Sequence, residues 1–547
     1  MPLTDYLSGL VWFGLGMGAL ATATTLVTRR RLAGLPGEAR ALAIFLVATT
    51  VLFLMYVIPL ALGVLTRATP VVTGLLLCLA VWALLPHAPA EAAVDVPPAP
   101  RSGAASWVVA SVAVAAAAIA LLAYTGAVAL LPFGQVDVVN FHLPIVARWI
   151  QTGSLWQIDQ FLVYQAQGNY PHTGDLVHLA AVLPWRDEFA VRYVALPFVA
   201  ATGVAVHALA RELGAPAASS MTYGAVVVTL PTVIVSNLDF ELTDAIMYAT
   251  FATGALFLAR HVRSRGRTDL VLAGLGLGLA FGVKWYAVSA VGVAVLVWIV
   301  GMVFARRPWR RVLWDAARLM AIVAALGGIW LVRNWVESGN PVFPVRVRVF
   351  GTTVFDAPFD VFRHLAGFSL FDYADNPSIL RRYAWPAFNH TLGLAWLVLV
   401  GGCLLAVGGS LGRAWRRVDR RVAGVVACAV LIAIAYAATP YSALGGKGVP
   451  AQIDANTRYV VPALLLAAAA TAWAAGRLGR AGILIDLLGL AAVVDGIRRA
   501  HGPIEAKHVA AAVLALGVGT VVVWWLRNRT GRRTHGRRLV HATAAAA

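Results

Sequence analysis

The chain has 547 residues, 60% of them hydrophobic and 13% charged, with a mean hydropathy of +0.77; a soluble fold of this size cannot bury so much apolar surface. Lys and Arg outnumber Asp and Glu by 44 to 25, for a formal charge of +19. The basic residues cluster between apolar runs, at 29–31, 306–311, 413–421 and 527–538. That is the pattern of loops held by anionic lipid headgroups, so a bilayer is expected as partner and nucleic acid is not.

In chain order, apolar runs predict an all-α polytopic protein of about fifteen spans. They fall at 8–28, 42–64, 70–86, 105–131, 190–210, 217–236, 244–262, 268–283, 286–304, 316–334, 390–408, 422–438, 458–475, 481–496 and 508–526. The first run has Asp5 and no basic residue before it, with arginines after it, so it reads as a retained helix rather than a signal peptide. The arginines place its far end in the cytoplasm, and alternation then puts the Pro/Ala linker at 86–100 inside and Asp137 outside. Arg498, Arg499 and Lys507 break the rule, so the segment around 481–507 is either interfacial or miscounted. Four domains are expected: 1–104, three spans plus the cytoplasmic linker; 105–475, the main membrane domain; 476–526, the last helices; and 527–547, a basic cytoplasmic tail. Cys78, Cys403 and Cys428 sit inside apolar runs and form neither a disulfide framework nor a metal motif.

Two long outer connections, 132–188 and 337–389, imply binding or chemistry on that side. The first opens with Asp137, followed by an amphipathic segment that sets Ile145, Trp149 and Ile150 against His142, Arg148 and Gln151. Such a segment can lie flat on the bilayer. Read alone, Asp137 fits either a solvated loop acid or a general base for a substrate hydroxyl, with His142 orienting it or merely exposed. In SNLDFELTD, Asp244 either caps the next helix or is a second acid facing Asp137. Hard cations favour oxygen ligands, but no calcium-loop spacing is present, so no metal is assigned and a divalent ion stays open.

The glycines at 274, 278 and 282 recur every fourth residue, a helix-packing face in a membrane rather than a dinucleotide loop. Lys284 after them is either a snorkelling anchor or a phosphate partner. Arg333 and Arg458, the latter followed by Tyr459, stand at outer helix ends. Each alone fits an interfacial anchor; together they suit an anionic headgroup.

Four stretches, in this order, carry a resemblance: DVVNFHLPIVARWIQTGSLW with NYPHTGDLVHLAAVLP, GLGLGLAFGVKW, RNWVESGNPVFP and RYVVP. The region of resemblance around them runs from about 106 to 475, about two-thirds of the chain. They resemble bacterial membrane-embedded GT-C glycosyltransferases of the protein mannosyltransferase and aminoarabinose-transferase-like group. Phe141 replaces the usual Tyr and Val283 the usual Thr. The resemblance implies a GT-C membrane domain at 105–475, and inverting sugar transfer from a polyprenyl-phosphate donor to an outer-face glycan, lipid-linked saccharide or protein. Asp137 would be the base, Arg333, Arg458 and Lys284 would hold the leaving phosphate, and Asp244 would touch sugar or acceptor. His142 and Tyr459 join that binding set, no cofactor is expected, and the plasma membrane would house the enzyme with its site facing out. A transporter or flippase, or an inactive binding protein of the same fold, are the alternatives.

Overall fold

The computed structural model describes residues 1–86, 99–161, 165–411, 420–500, 502, 504–522 and 525. The linker between 87 and 98, most of the basic cluster at 413–421 and the basic tail from 527 lie outside the described residues. The chain is helical, as its hydropathy predicts, with a single two-stranded sheet among the described residues. Eight helices are long and apolar enough to cross a membrane, or up to eleven if three sharply bent pairs each make one span. Each of the fifteen expected runs contains a helix; the difference in count arises where runs bend, stay short or, at 482–499, carry Asp486, Asp495, Arg498 and Arg499.

Three N-terminal helices, α1 (Leu3–Arg31), α2 (Gly37–Ala61) and α3 (Thr69–Leu84), pack on one another. α4 (Ala104–Val128) leads into the first long connection, which holds α5 (Leu143–Thr152) and α6 (Thr173–Val182). Next come α7 (Ala195–Glu212), α8 (Ala217–Val228), the single turn α9 (Pro231–Ile234), α10 (Asp244–Ser264), α11 (Arg267–Phe281) and α12 (Ala287–Phe304). α13 (Trp309–Gly327) and α14 (Ile329–Ser338) form one bent pair, angled at 59° across the Gly327–Gly328 break.

α2 does not stand apart with its N-terminal neighbours. It packs on α6, α7 and α11, and its far end is stitched to the first connection. Leu65 N–H donates to Gly153 O (3.1 Å), Leu155 N–H to Leu60 O (3.1 Å), and Trp156 Nε1–H to Ala61 O (2.7 Å). The last two satisfy carbonyls that the end of α2 would otherwise leave open.

The glycine face on α11 packs as its spacing suggests. A Cβ on Gly278 would sit 3.0 Å from the Val323 backbone of α13, and one on Gly276 would lie 2.7 Å from Thr250 O of α10. Neither position has room for a side chain, so helices on both sides of α11 approach closely.

The second long connection holds the hairpin β1 (Val347–Val349) and β2 (Thr352–Phe355) and the short helices α15 (Val361–Ala366) and α16 (Pro377–Ile379). α17 (Trp385–Leu392) and α18 (Ala395–Leu411) come after it, then α19 (Arg420–Ala438), the turn α20 (Ile453–Asn456), α21 (Val461–Arg477) and α22 (Gly482–Arg499). In the segment around 481–507, α22 packs on α4, α8 and α21, and its Asp486 is buried. Its Asp495 accepts from Arg499 Nε (2.8 Å) and from Leu394 N–H (2.7 Å), which ties the helix end to the start of α18.

Candidate active site

Four helix ends meet at one end of the bundle: the exit of α4, the start of α10, the α11–α12 turn and the start of α21. Asp137 stands nine residues past α4, where Gln135 Oε1 accepts from the backbone N–H groups of Asp137 (2.6 Å) and Val138 (3.1 Å). The segment Val138–His142 is one wide π-turn, with Leu143 N–H donating to Val138 O. Polarity sets His142 with Arg148 and Gln151 on the polar face of α5, but in the structure it is buried beside Phe141. Its position explains this: it stands three and seven residues before Ile145 and Trp149, on their buried face. Ile145 and Trp149 are buried as expected.

Asp137 Oδ2 accepts from Arg458 Nη2 at 3.1 Å, and the same guanidinium reaches Asp244 Oδ2 at 3.9 Å. Asp244 is fully buried, and its Oδ1 accepts a short hydrogen bond from the Tyr286 hydroxyl. Tyr286 stacks on Tyr459 with ring centroids 4.4 Å apart, and the Tyr248 hydroxyl donates to Arg458 O (2.9 Å). Arg458 is thus a bridge between two carboxylates, as its planar fork of donors permits. Burial alone would raise the Asp137 carboxyl, but Arg458 and Lys284 outweigh it and hold it below the usual range.

Lys284 Nζ lies 3.1 Å from His142 Nε2 and 5.5 Å from the Phe141 ring centroid. On its other side, His142 Nδ1 is 2.6 Å from Asp175 Oδ1, and His172 Nδ1 is 2.7 Å from Asp175 Oδ2. His178 Nδ1 is 3.8 Å from the same carboxylate. Asp175, His172 and His178 are all buried on or beside α6. Burial pushes His172 and His178 down to about 4, and the second ring nitrogen of His172, Nε2, faces Gly168 O at 3.2 Å. Burial raises the Asp175 carboxyl, but the imidazoles of His142 and His172 outweigh it and hold it far below the usual range. Asp175 accordingly stays ionised. All three lie in NYPHTGDLVHL, a stretch that carries the resemblance, yet the sequence gives none of them a role. A signal is present there, since His172, Asp175 and His178 recur every third residue and share a helix face.

Arg333 lies elsewhere. It is buried on α14, and its Nη2 donates to Gly168 O (2.6 Å) and Tyr170 O (3.2 Å), while neighbouring Asn334 donates to Asn169 O (2.8 Å). Among the described residues no ion pair joins Arg333 to a carboxylate, so in this structure it clamps a turn of the first connection. A second structural clamp is illegible in the sequence. Arg192 donates to Asp239 O (2.8 Å), Leu131 O (2.9 Å) and Pro132 O (2.8 Å), with fully buried Glu241 at 3.7 Å. Burial raises Glu241 well above the usual range for a carboxyl. Among the described residues no three His, Cys, Asp or Glu side chains converge as a metal set.

Helices that cross a membrane, with an acid–cation cluster buried where their ends meet, define a multi-pass membrane protein with a polar site at one end of the bundle. Residues 160–338 match the family model described as dolichyl-phosphate-mannose-protein mannosyltransferase, a family of the GT-C superfamily, and this supports a membrane glycosyltransferase of GT-C type. The matched stretch contains Asp175, Asp244, Lys284 and Arg333, while Asp137 and Arg458 lie outside it on either side. No curated protein matches the chain.

Proposed function

We propose that the protein transfers a sugar, with inversion, from a polyprenyl-phosphate donor to a hydroxyl acceptor at the outer face of the plasma membrane. The acceptor is a glycan, a lipid-linked saccharide or a protein. Asp137 takes the acceptor O–H proton as that oxygen forms its bond to the anomeric carbon. The carbon–oxygen bond to the phosphate breaks, and its electron pair leaves on the phosphate oxygen. Arg458 and Lys284 meet the charge that develops there, and cations placed before the reaction need not reorganise during it. Asp244, with Tyr286 and Tyr459 beside it, keeps Arg458 in place; His142 supports Lys284; Arg333 serves by shaping the loop that carries Gly168 and Tyr170.

The observation that carries this reading is the Arg458 bridge between Asp137 and Asp244. A carboxylate held this way is a weak base. A phosphodiester arriving at Arg458 would draw off its donors and raise the basicity of Asp137 only when donor is bound. The test is Asp137→Asn in a strain lacking the native copy, followed by mass analysis of envelope glycans and lipid-linked sugars. The product glycan should disappear and the unused lipid-linked sugar should accumulate. An unchanged glycan profile with the variant present in the membrane would remove Asp137 as the base.

A further inference from the structure

Lys284 is the cation least able to look after itself. It sits in the α11–α12 turn, and burial lowers its ammonium. A neutral amine could not oppose phosphate charge, so something must keep it protonated and aimed. The anions facing it are Asp244, Asp137 and Asp175, and the opposing cation is Arg458, with His142 and His178 alongside. Asp137 and Asp244 are already engaged by Arg458.

Hydrogen-bond chemistry fixes the rest. An ammonium has donors only, so at 3.1 Å from Lys284 Nζ the His142 Nε2 must be a bare acceptor. The proton of His142 then sits on Nδ1 and is donated to Asp175 Oδ1 at 2.6 Å. His172 Nδ1–H occupies the other carboxylate oxygen at 2.7 Å, which locks the orientation of Asp175. Asp175 and His142 are buried to 1% exposure, so water does not substitute for either bond.

We propose that Asp175 is a positioning residue: acting through the His142 imidazole, it fixes that ring's tautomer and holds Lys284 as a protonated, aimed cation at the phosphate-facing end of the site. This rests on the transferase reading for its use, but the device itself is independent of the donor. An Asp–His pair orients a third group in the same way in hydrolase triads, though here the third group is a cation rather than a nucleophile.

The sequence makes the test direct, because Lys284, Lys447 and Lys507 are its only lysines and the last two are exposed. The full-length protein in lipid nanodiscs, labelled with [ε-13C]lysine, gives three titrating signals by NMR. In Asp175→Asn the loss of a facing anion should lower the Lys284 midpoint by about one pH unit or more, with Lys447 and Lys507 unmoved. His142→Gln keeps an acceptor near Lys284 but cuts the link to Asp175, and should lower the midpoint in the same direction. If Lys284 titrates as in the native protein in both folded variants, the relay does not exist. A structural role alone would lower thermal stability without moving this one midpoint. Undecaprenyl phosphate, titrated into the same nanodiscs across pH, separates the two claims. Binding that weakens as Lys284 loses its proton supports both. A shifted midpoint with no binding by the native protein keeps the relay and breaks the donor assignment.

Discussion

The helix α10 carries a buried ionic cluster at each end, Asp244 at one and Arg260 at the other, sixteen residues and roughly 24 Å apart by helical rise. At the Arg260 end the carboxylates are saturated. Glu212 accepts from Arg263 (2.8 and 2.9 Å) and Arg260 (3.4 Å), with Arg421 at 3.7 Å. Asp269 accepts from Arg260 (3.2 Å) and Ser264 (2.5 Å). At the Asp244 end the same kinds of groups keep capacity in reserve: among the described residues, Asp244 Oδ2 and Arg458 Nε have no hydrogen-bond partner. Buried groups left unsatisfied cost free energy; at the Arg260 end such an atom is the His261 ring Nδ1 rather than a carboxylate oxygen, and this closed end joins α7, α10, α11 and α19. One cluster holds helices together; the other is where the proposed reaction places the donor phosphate.

Substitutions should separate the two ends. Asp137→Asn should cost about 10²–10⁴-fold in transfer, the usual reach of general-base catalysis, with undecaprenyl phosphate binding retained when titrated into purified protein. Glu212→Gln at the closed end should lower stability by about 1–3 kcal/mol, because it weakens charge-assisted hydrogen bonds from Arg260 and Arg263 to a buried carboxylate. Thermal unfolding in detergent measures that loss, and transfer per folded molecule should not change. An equal loss of transfer would erase the distinction.

Arg458→Gln should cut transfer by about 10²-fold and change its pH dependence. Arg458 holds the Asp137 carboxyl down. Removing it raises that carboxyl, so the acid limb of the rate profile should move to higher pH. A limb that stays in place would mean Asp137 does not set it. The smallest effect falls between the two clusters. Gly276→Ala, whose Cβ would sit 2.7 Å from Thr250 O, should cost about 1–3 kcal/mol through overpacking, read as a lower unfolding midpoint with the acid limb unchanged.

Hydropathy makes the helices legible, because a bilayer leaves the backbone few choices. It is less informative about crossings. The 59° break after Gly327 and the short α11 and α3 depend on packing that no apolar run records. Within the site, Asp137, Asp244, Lys284 and Arg458 can each be singled out because a charge at an apolar helix end stands out. Their pairing cannot, since Arg458 and Asp137 are separated by 321 residues. His142 is misplaced when polarity alone assigns it a face, because its spacing from Ile145 and Trp149 already sets it on the buried side. Arg333 shows the converse: a cation at a helix end looks the same in sequence whether it faces a ligand or a carbonyl.

The three backbone and indole bonds between the end of α2 and the Gly153–Trp156 turn give the lipid environment a mechanical route to the loop that carries Asp137. At 25 residues, α2 is longer than the roughly 30 Å hydrocarbon slab requires, and surplus length is taken up by tilt. Whatever leans α2 also carries the length of chain behind Asp137. Turnover should therefore vary with the acyl-chain length of the host membrane, and cutting the Trp156 tether with phenylalanine should flatten that dependence.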